Sequence, residues 1–235
     1  MKILVISPCS STQKHNKLPN RLGPVDFTSS DRLALRMEEL GNYKEPAAEM
    51  YEGKEHAEIM KGLWKIRRCY GRGSVDLSII STGYGLVEEC CVIVPYDVPC
   101  KYSPVLLEKE KSDKLHTDIG NLIGNGNYDL VFFLLGRKYY EALKLRYRPF
   151  QIPDTTVLVF LIGRSYRHLV PCLQDHHPVL LNFEEFGGNY IAKGRVFKKL
   201  CKAACEEGEK LSVFEKVIDD PQQIPNIASE ACNEN

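Results

Sequence analysis

LVFFLLGRKYYEAL (residues 130–143) and VLVFLIGRSYRHLV (residues 157–170) each open on an unbroken apolar run and pass through the same Gly-Arg-x-Tyr phrase. Apolar runs without polar alternation are what a parallel sheet buries on both faces, so 130–135 and 157–162 read as central strands. Gly136 and Gly163 permit tight strand-to-helix turns. The turns leave Arg137 and Arg164 near the carboxyl ends of adjacent strands, the edge where open α/β sheets bind ligands. An arginine at a helix start opposes the helix dipole, and its presence twice suggests a bound anion; the competing reading makes both arginines solvated and both tyrosines core.

Working outward, 2–6, 75–81 and 179–183 are further strand-like runs, and 92–94 is a short one. Ser30-Asp31 caps a helix over 32–40, and a second helical pattern runs from Pro46 to the stop at Gly71, with Ile59, Met60, Leu63 and Trp64 as its core stripe. Ser103-Pro104 starts a helix reaching about 123, and 194–208 and 211–218 are helical. The expected architecture is a single three-layer α/β domain over 1–220 with a mostly parallel central sheet, followed by a polar tail at 221–235 that is frayed or docked on a partner.

The 235 residues are 43% hydrophobic and carry 31 basic and 31 acidic groups. That length supports a sizeable core without disulfides. Zero net charge argues against unselective coating of a polyanion, although 128–174 holds 7 basic and 3 acidic residues. Nine cysteines, odd in number and irregular in spacing, point to a reducing cytoplasm. Cys201-Cys205, His176-His177, Pro99-Cys100 and Pro171-Cys172 all lack the spaced partners of a zinc site, so no metal is expected. The opening MKILVISP is too short for a signal-peptide core and no run is long enough to span a membrane.

Three loops carry candidate chemistry. In SPCSSTQK (7–14), Ser10, Ser11 and the loop N–H groups could cradle a phosphate or carboxylate, with Lys14 adding charge. Cys9 is either a nucleophile or a small buried packing residue. In STGYGLVEE (81–89) the third glycine of a dinucleotide fingerprint is replaced by Glu88, and no phosphate-loop motif occurs anywhere, so no cofactor is expected. Gly83 and Gly85 would instead expose Tyr84 as a stacking face, with Glu88 as an acid or base; a structural turn is the alternative. In VPYDV (94–98), Tyr96 offers another ring and Asp97 a carboxylate whose proton affinity aromatic neighbours would raise, or which caps a turn or pairs with an arginine.

VISPCSSTQK, PAAEMYEGKEH, IISTGYGLVEE and VIVPYDV, in that order within residues 1–100, resemble the motifs of a prokaryotic YaaA-like domain labelled for peroxide stress. More distantly, the chain is similar to the uracil-DNA-glycosylase-like domain of archaeosine synthases. The opening departs from that pattern in having only Gln13-Lys14 where the family is lysine-rich, and 15–45 is longer. The resemblance implies a site at Cys9, Ser10, Tyr51, Gly53, Tyr84, Gly85, Tyr96 and Asp97.

Together these readings predict an enzyme acting on a nucleoside, nucleotide or nucleic-acid base, with hydrolysis or transfer at an N-glycosidic bond. Tyr84 and Tyr96 would sandwich the base, Asp97 or Glu88 would act at the glycosidic carbon or its water, and Ser10, Ser11, Arg137 and Arg164 would hold phosphate. The alternative is a non-catalytic module binding nucleic acid or a nucleotide through 128–174.

Overall fold

The structure, a computed structural model, describes residues 1–170, 179–187, 189, 191–206, 212–220 and 223–233. Its strands are β1 (Ile3–Pro8), β2 (Glu45–Pro46), β3 (Val75–Ser81), β4 (Gly85–Glu88), β5 (Val92–Ile93), β6 (Leu130–Phe133), β7 (Val157–Ile162) and β8 (Val179–Asn182). Its helices are α1 (Ser30–Glu39), α2 (Ala47–Met50), α3 (Lys54–Tyr70), α4 (Pro104–Leu107), α5 (Lys109–Asn125), α6 (Arg137–Leu143), α7 (Ala192–Glu206), α8 (Ser212–Asp219) and α9 (Ile224–Asn233).

Six strands form one sheet in the order β4-β3-β1-β6-β7-β8, parallel except for β4 against β3. Successive side chains on a strand point to opposite faces, and both faces are apolar here. Ile3, Val5, Ile79 and Phe132 pack with Ile59 and Leu63 of α3 and Phe197 of α7. Leu4, Ile6, Phe133 and Phe160 pack with Ile119 of α5 and Tyr140 of α6 on the other side. The result is a three-layer α/β arrangement with β1 and β6 at its centre.

Several expectations are corrected in detail. The pattern from Pro46 to Gly71 is two helices, because Tyr51 and Gly53 adopt extended backbone between α2 and α3. Trp64 is 61% exposed and does not belong to the core stripe that Ile59, Met60 and Leu63 form. The run after Pro104 is likewise broken, at Glu108, which is extended. Val92 and Ile93 pair antiparallel with β2 in a separate ribbon and do not enter the main sheet. The stretch 221–235, read as a polar tail, contains α9, whose Ile224 and Ala228 are buried against the core shared with α7. Among the described residues, no helix is long and apolar enough to cross a membrane. Pro171, Cys172, His176 and His177 lie outside the described residues.

Candidate functional site

The helix that follows β1 in the crossover to β3, α3, covers one face of the sheet, and α6, which follows β6, covers the other. Loops leaving these two adjacent strands therefore diverge, and a crevice opens between them at the carboxyl edge. Cys9 is the first residue past β1, its N–H donating to Ile80 O at 3.0 Å. Tyr139, in the first turn of α6, reaches across so that its hydroxyl lies 3.5 Å from Cys9 Sγ, and Thr82 Oγ1 approaches the same sulfur to 3.6 Å from beyond β3. The Cys100 thiol donates to that tyrosine hydroxyl at 3.9 Å. Burial raises the Tyr139 phenol well above its ordinary value, and the neighbouring thiols Cys9 and Cys100 add to the effect. Tyr139 thus remains a proton donor.

Two cavities share the loop that bears Cys9. One, of about 130 Å³, is lined by Cys9, Ser10, Thr82, Asp97, Cys100 and Tyr139 among others. The second, of about 410 Å³, lies between Pro8–Thr12 and the start of α3, from Gly53 to Ile59. Ser10 and Ser11 face both, as the sequence suggests for an anion-binding loop. Ser10 Oγ accepts from Thr12 N–H at 3.0 Å. A methyl group at Gly53 would collide with that hydroxyl, so the loop's approach to α3 requires glycine there.

The tyrosines occupy different places from those expected. Tyr84 and Tyr96 make an edge-to-face pair, ring centroids 5.5 Å apart at 82°, and Phe27 packs edge-on against both. No slot for a base exists between them. The Tyr84 hydroxyl is spent on Val94, donating to its carbonyl at 3.1 Å and accepting from its N–H at 3.2 Å. Tyr96 is buried, receives the Ser81 hydroxyl at 2.9 Å and shares a hydrogen bond of 2.9 Å with the buried Tyr51 hydroxyl. Burial raises both the Tyr51 and Tyr96 phenols, and the Cys9 thiol pushes in the same direction. Gly83 serves this cluster too, since a Cβ there would lie 2.5 Å from the Phe27 ring. Gly85 has φ +83° and turns the chain into β4.

The charged candidates also divide. Asp97 lies on the smaller cavity, but its side chain is 65% exposed and pairs with Arg21 at 3.4 Å, so no aromatic enclosure surrounds the carboxylate. Glu88 is excluded from the site: β4 runs antiparallel, away from the edge, and pairs Glu88 with Ser78. Arg137 and Arg164 do stand at the ends of β6 and β7, yet they point to solvent and bind Glu141 at 2.7 Å and Glu185 at 3.3 Å. Neither lines the two cavities. Lys14 sits between Glu45 (3.2 Å) and Glu49 (3.3 Å); burial opposes its charge, but the two carboxylates outweigh burial and raise its pKa. Its charge is already met. Among the described residues there is no cluster of His, Cys, Asp or Glu able to hold a metal ion.

Sequence reasoning missed Tyr139, Thr82 and Gln13. Tyr139 is the tyrosine of the first Gly-Arg-x-Tyr phrase, and the repeat drew attention to its arginine instead. Gln13 is buried and accepts the Tyr96 N–H on its Oε1 at 3.0 Å, tying the Cys9 loop to the Asp97 loop. No protein-family model and no curated protein matches the chain.

Proposed function

We propose that the chain is an enzyme acting on a nucleoside, nucleotide or nucleic-acid base, with hydrolysis or transfer at an N-glycosidic bond in the cavity beside Cys9. The observation that carries this reading is the joint presence, at the crevice between β1 and β6, of a thiol held by two hydroxyls and a solvated carboxylate on one small cavity. Asp97, open to water, is suited to orient an attacking water or to face positive charge developing at the sugar carbon. Cys9, within reach of the Tyr139 donor, is suited either to attack that carbon or to protonate the departing base. Ser10 and Ser11 stand where a phosphate of the substrate would lie. The resemblance to YaaA-like domains, and more distantly to the uracil-DNA-glycosylase-like domain of archaeosine synthases, supports the location of the site at these loops.

The test is release of free base by the purified chain from nucleosides, nucleotides, NAD, uracil-containing DNA and modified DNA, with Cys9→Ala and Asp97→Asn as controls. Product that disappears in both variants supports the reading, and no product from any substrate overturns it.

A second reading, a non-catalytic nucleic-acid-binding module, draws on the surface beyond α6. Tyr147 is 80% exposed there and Arg146 stacks on its ring at 5.9 Å. That module would bind single strands without turnover and weaken steeply with salt.

A further inference from the structure

We infer that Cys9 and Cys100 are a disulfide-forming pair: on exposure to a small-molecule disulfide the two thiols join reversibly across the smaller cavity and close it. The crosslink follows from the geometry alone. Only its consequence, loss of the Cys9 thiol from the reaction, rests on the reading above.

The two thiols are far apart in the chain and come from different walls of the crevice. Cys9 is fixed at the end of β1 by its N–H bond to Ile80 O at 3.0 Å. Cys100 opens a single 3-10 turn, Cys100–Tyr102. The next residue, the buried Ser103, ties that turn to the loop after β3 by donating its hydroxyl to Thr82 O at 2.6 Å. Both sulfurs meet the Tyr139 hydroxyl, Cys9 Sγ at 3.5 Å and Cys100 Sγ at 3.9 Å. They are therefore separated by no more than the sum of those distances, about 7.4 Å. Both cysteines are half-buried, and both line the cavity of about 130 Å³.

That convergence sets the pair apart from the other described cysteines. Cys69, Cys90 and Cys91 are exposed, Cys201 is wholly buried, and Cys205 Sγ donates to Lys65 O at 3.6 Å.

A disulfide requires sulfurs about 2.05 Å apart and Cα atoms within about 7 Å of each other. The gap is closed by new rotamers of two short side chains and a shift of the 100–102 turn toward the sheet edge. Cys9 cannot travel, because its N–H continues the ladder between β1 and β3. The turn can: Pro99, Lys101 and Tyr102 are exposed, so moving them uncovers no core, and the buried Val98 and Ser103 bound the segment that moves. The cavity itself is the space into which the sulfurs rotate.

A small disulfide has its own approach to Cys9, which also lines the larger cavity of about 410 Å³ beside Ser10 and Ser11. The Cys9 thiolate attacks one sulfur of the reagent, forming a mixed disulfide and releasing one thiol. Cys100 then attacks Cys9 Sγ, the protein disulfide forms and the second thiol leaves. One S–S bond breaks and one forms, and the protons of Cys9 and Cys100 end on the two released thiols. Once linked, Cys9 has no thiol with which to attack a sugar carbon or protonate a base, and the space between Asp97 and Tyr139 is filled.

The test equilibrates the reduced full chain with oxidised and reduced glutathione without denaturant, quenches with N-ethylmaleimide and maps the peptides by non-reducing mass spectrometry. A Cys9–Cys100 linked peptide is expected, at least about tenfold more abundant than any other linked pair and lost on addition of dithiothreitol. In Cys100→Ser the second step is blocked, so the glutathione adduct on Cys9 should rise about tenfold or more over the unaltered chain. Should that variant unfold, the peptide map of the unaltered chain decides. The inference is overturned if Cys9 of the unaltered chain stays free or stops at the glutathione adduct, if Cys100 pairs with a different cysteine, or if the linked pair forms only in urea. A linked pair in a chain that releases no base from any substrate leaves the disulfide standing and removes the enzymatic reading; release of base by a chain that forms no linked pair does the reverse.

Discussion

The Cys9 thiol and the Tyr139 hydroxyl, 130 residues apart in the chain, lie 3.5 Å apart across the crevice between β1 and β6. The contact exists because the two strands are parallel neighbours whose following helices leave toward opposite faces of the sheet. Burial keeps the Tyr139 phenol protonated, so its hydroxyl is placed to hydrogen-bond the sulfur.

Tyr139→Phe should change the rate at which iodoacetamide alkylates Cys9 at neutral pH by up to about tenfold, the worth of one hydrogen bond at the sulfur. Peptide-resolved mass spectrometry separates Cys9 from the exposed Cys69, Cys90 and Cys91. An unchanged Cys9 rate would remove the tyrosine from the site.

Asp97→Asn should lower base release by about 100-fold or more if the carboxylate acts on the sugar or its water. Its stability cost should stay within about 1 kcal/mol, since the exposed pair with Arg21 contributes little. Denaturant midpoints measured beside the rates distinguish loss of chemistry from loss of fold.

Tyr96→Phe keeps the ring packed against Phe27 and Tyr84 but removes the hydroxyl that receives Ser81 and pairs with Tyr51, while Ser81 Oγ keeps the Gly83 and Tyr84 N–H groups. We expect a loss of about 1–3 kcal/mol in urea unfolding. A loss near zero would mean that water satisfies both groups.

Asp26 provides a test in acid. Burial alone would raise its pKa, but the Gly23 N–H and the Arg32 and Arg36 guanidiniums outweigh burial and lower it below 3.8. A carboxyl whose folded value is depressed contributes stability above its unfolded value and loses it as pH falls through the folded one. Asp26→Asn should cost about 1–3 kcal/mol at pH 7 and progressively less below pH 3.8. A cost independent of pH would show that the hydrogen bond to Gly23, and not the charge, is what matters.

Much of the frame is legible in the residues. The runs at 130–133 and 157–162 are strands because unbroken β-branched and aromatic sequence has nowhere to go except a sheet covered twice. β4 was not legible: Gly85–Glu88 is short, half polar and paired only on one edge, so its pattern resembles a loop. The position of Cys9 and Ser10 on the two cavities was legible, because both directly follow a buried strand. It was misread at Tyr84, Arg137 and Arg164, whose residue types suit a ligand but whose neighbours had already engaged them.

The sequence by itself determined which stretches are buried, their periodicity, and therefore the layered sheet and the edge where its loops gather. Only the tertiary structure decided which side chains at that edge meet: Tyr139 rather than Arg137 beside Cys9, and Gln13 against the backbone of Tyr96. The physical reason is that hydrophobic periodicity encodes whether a residue faces inward, while the partner it finds there depends on strand order and on the direction in which each crossover helix leaves the sheet.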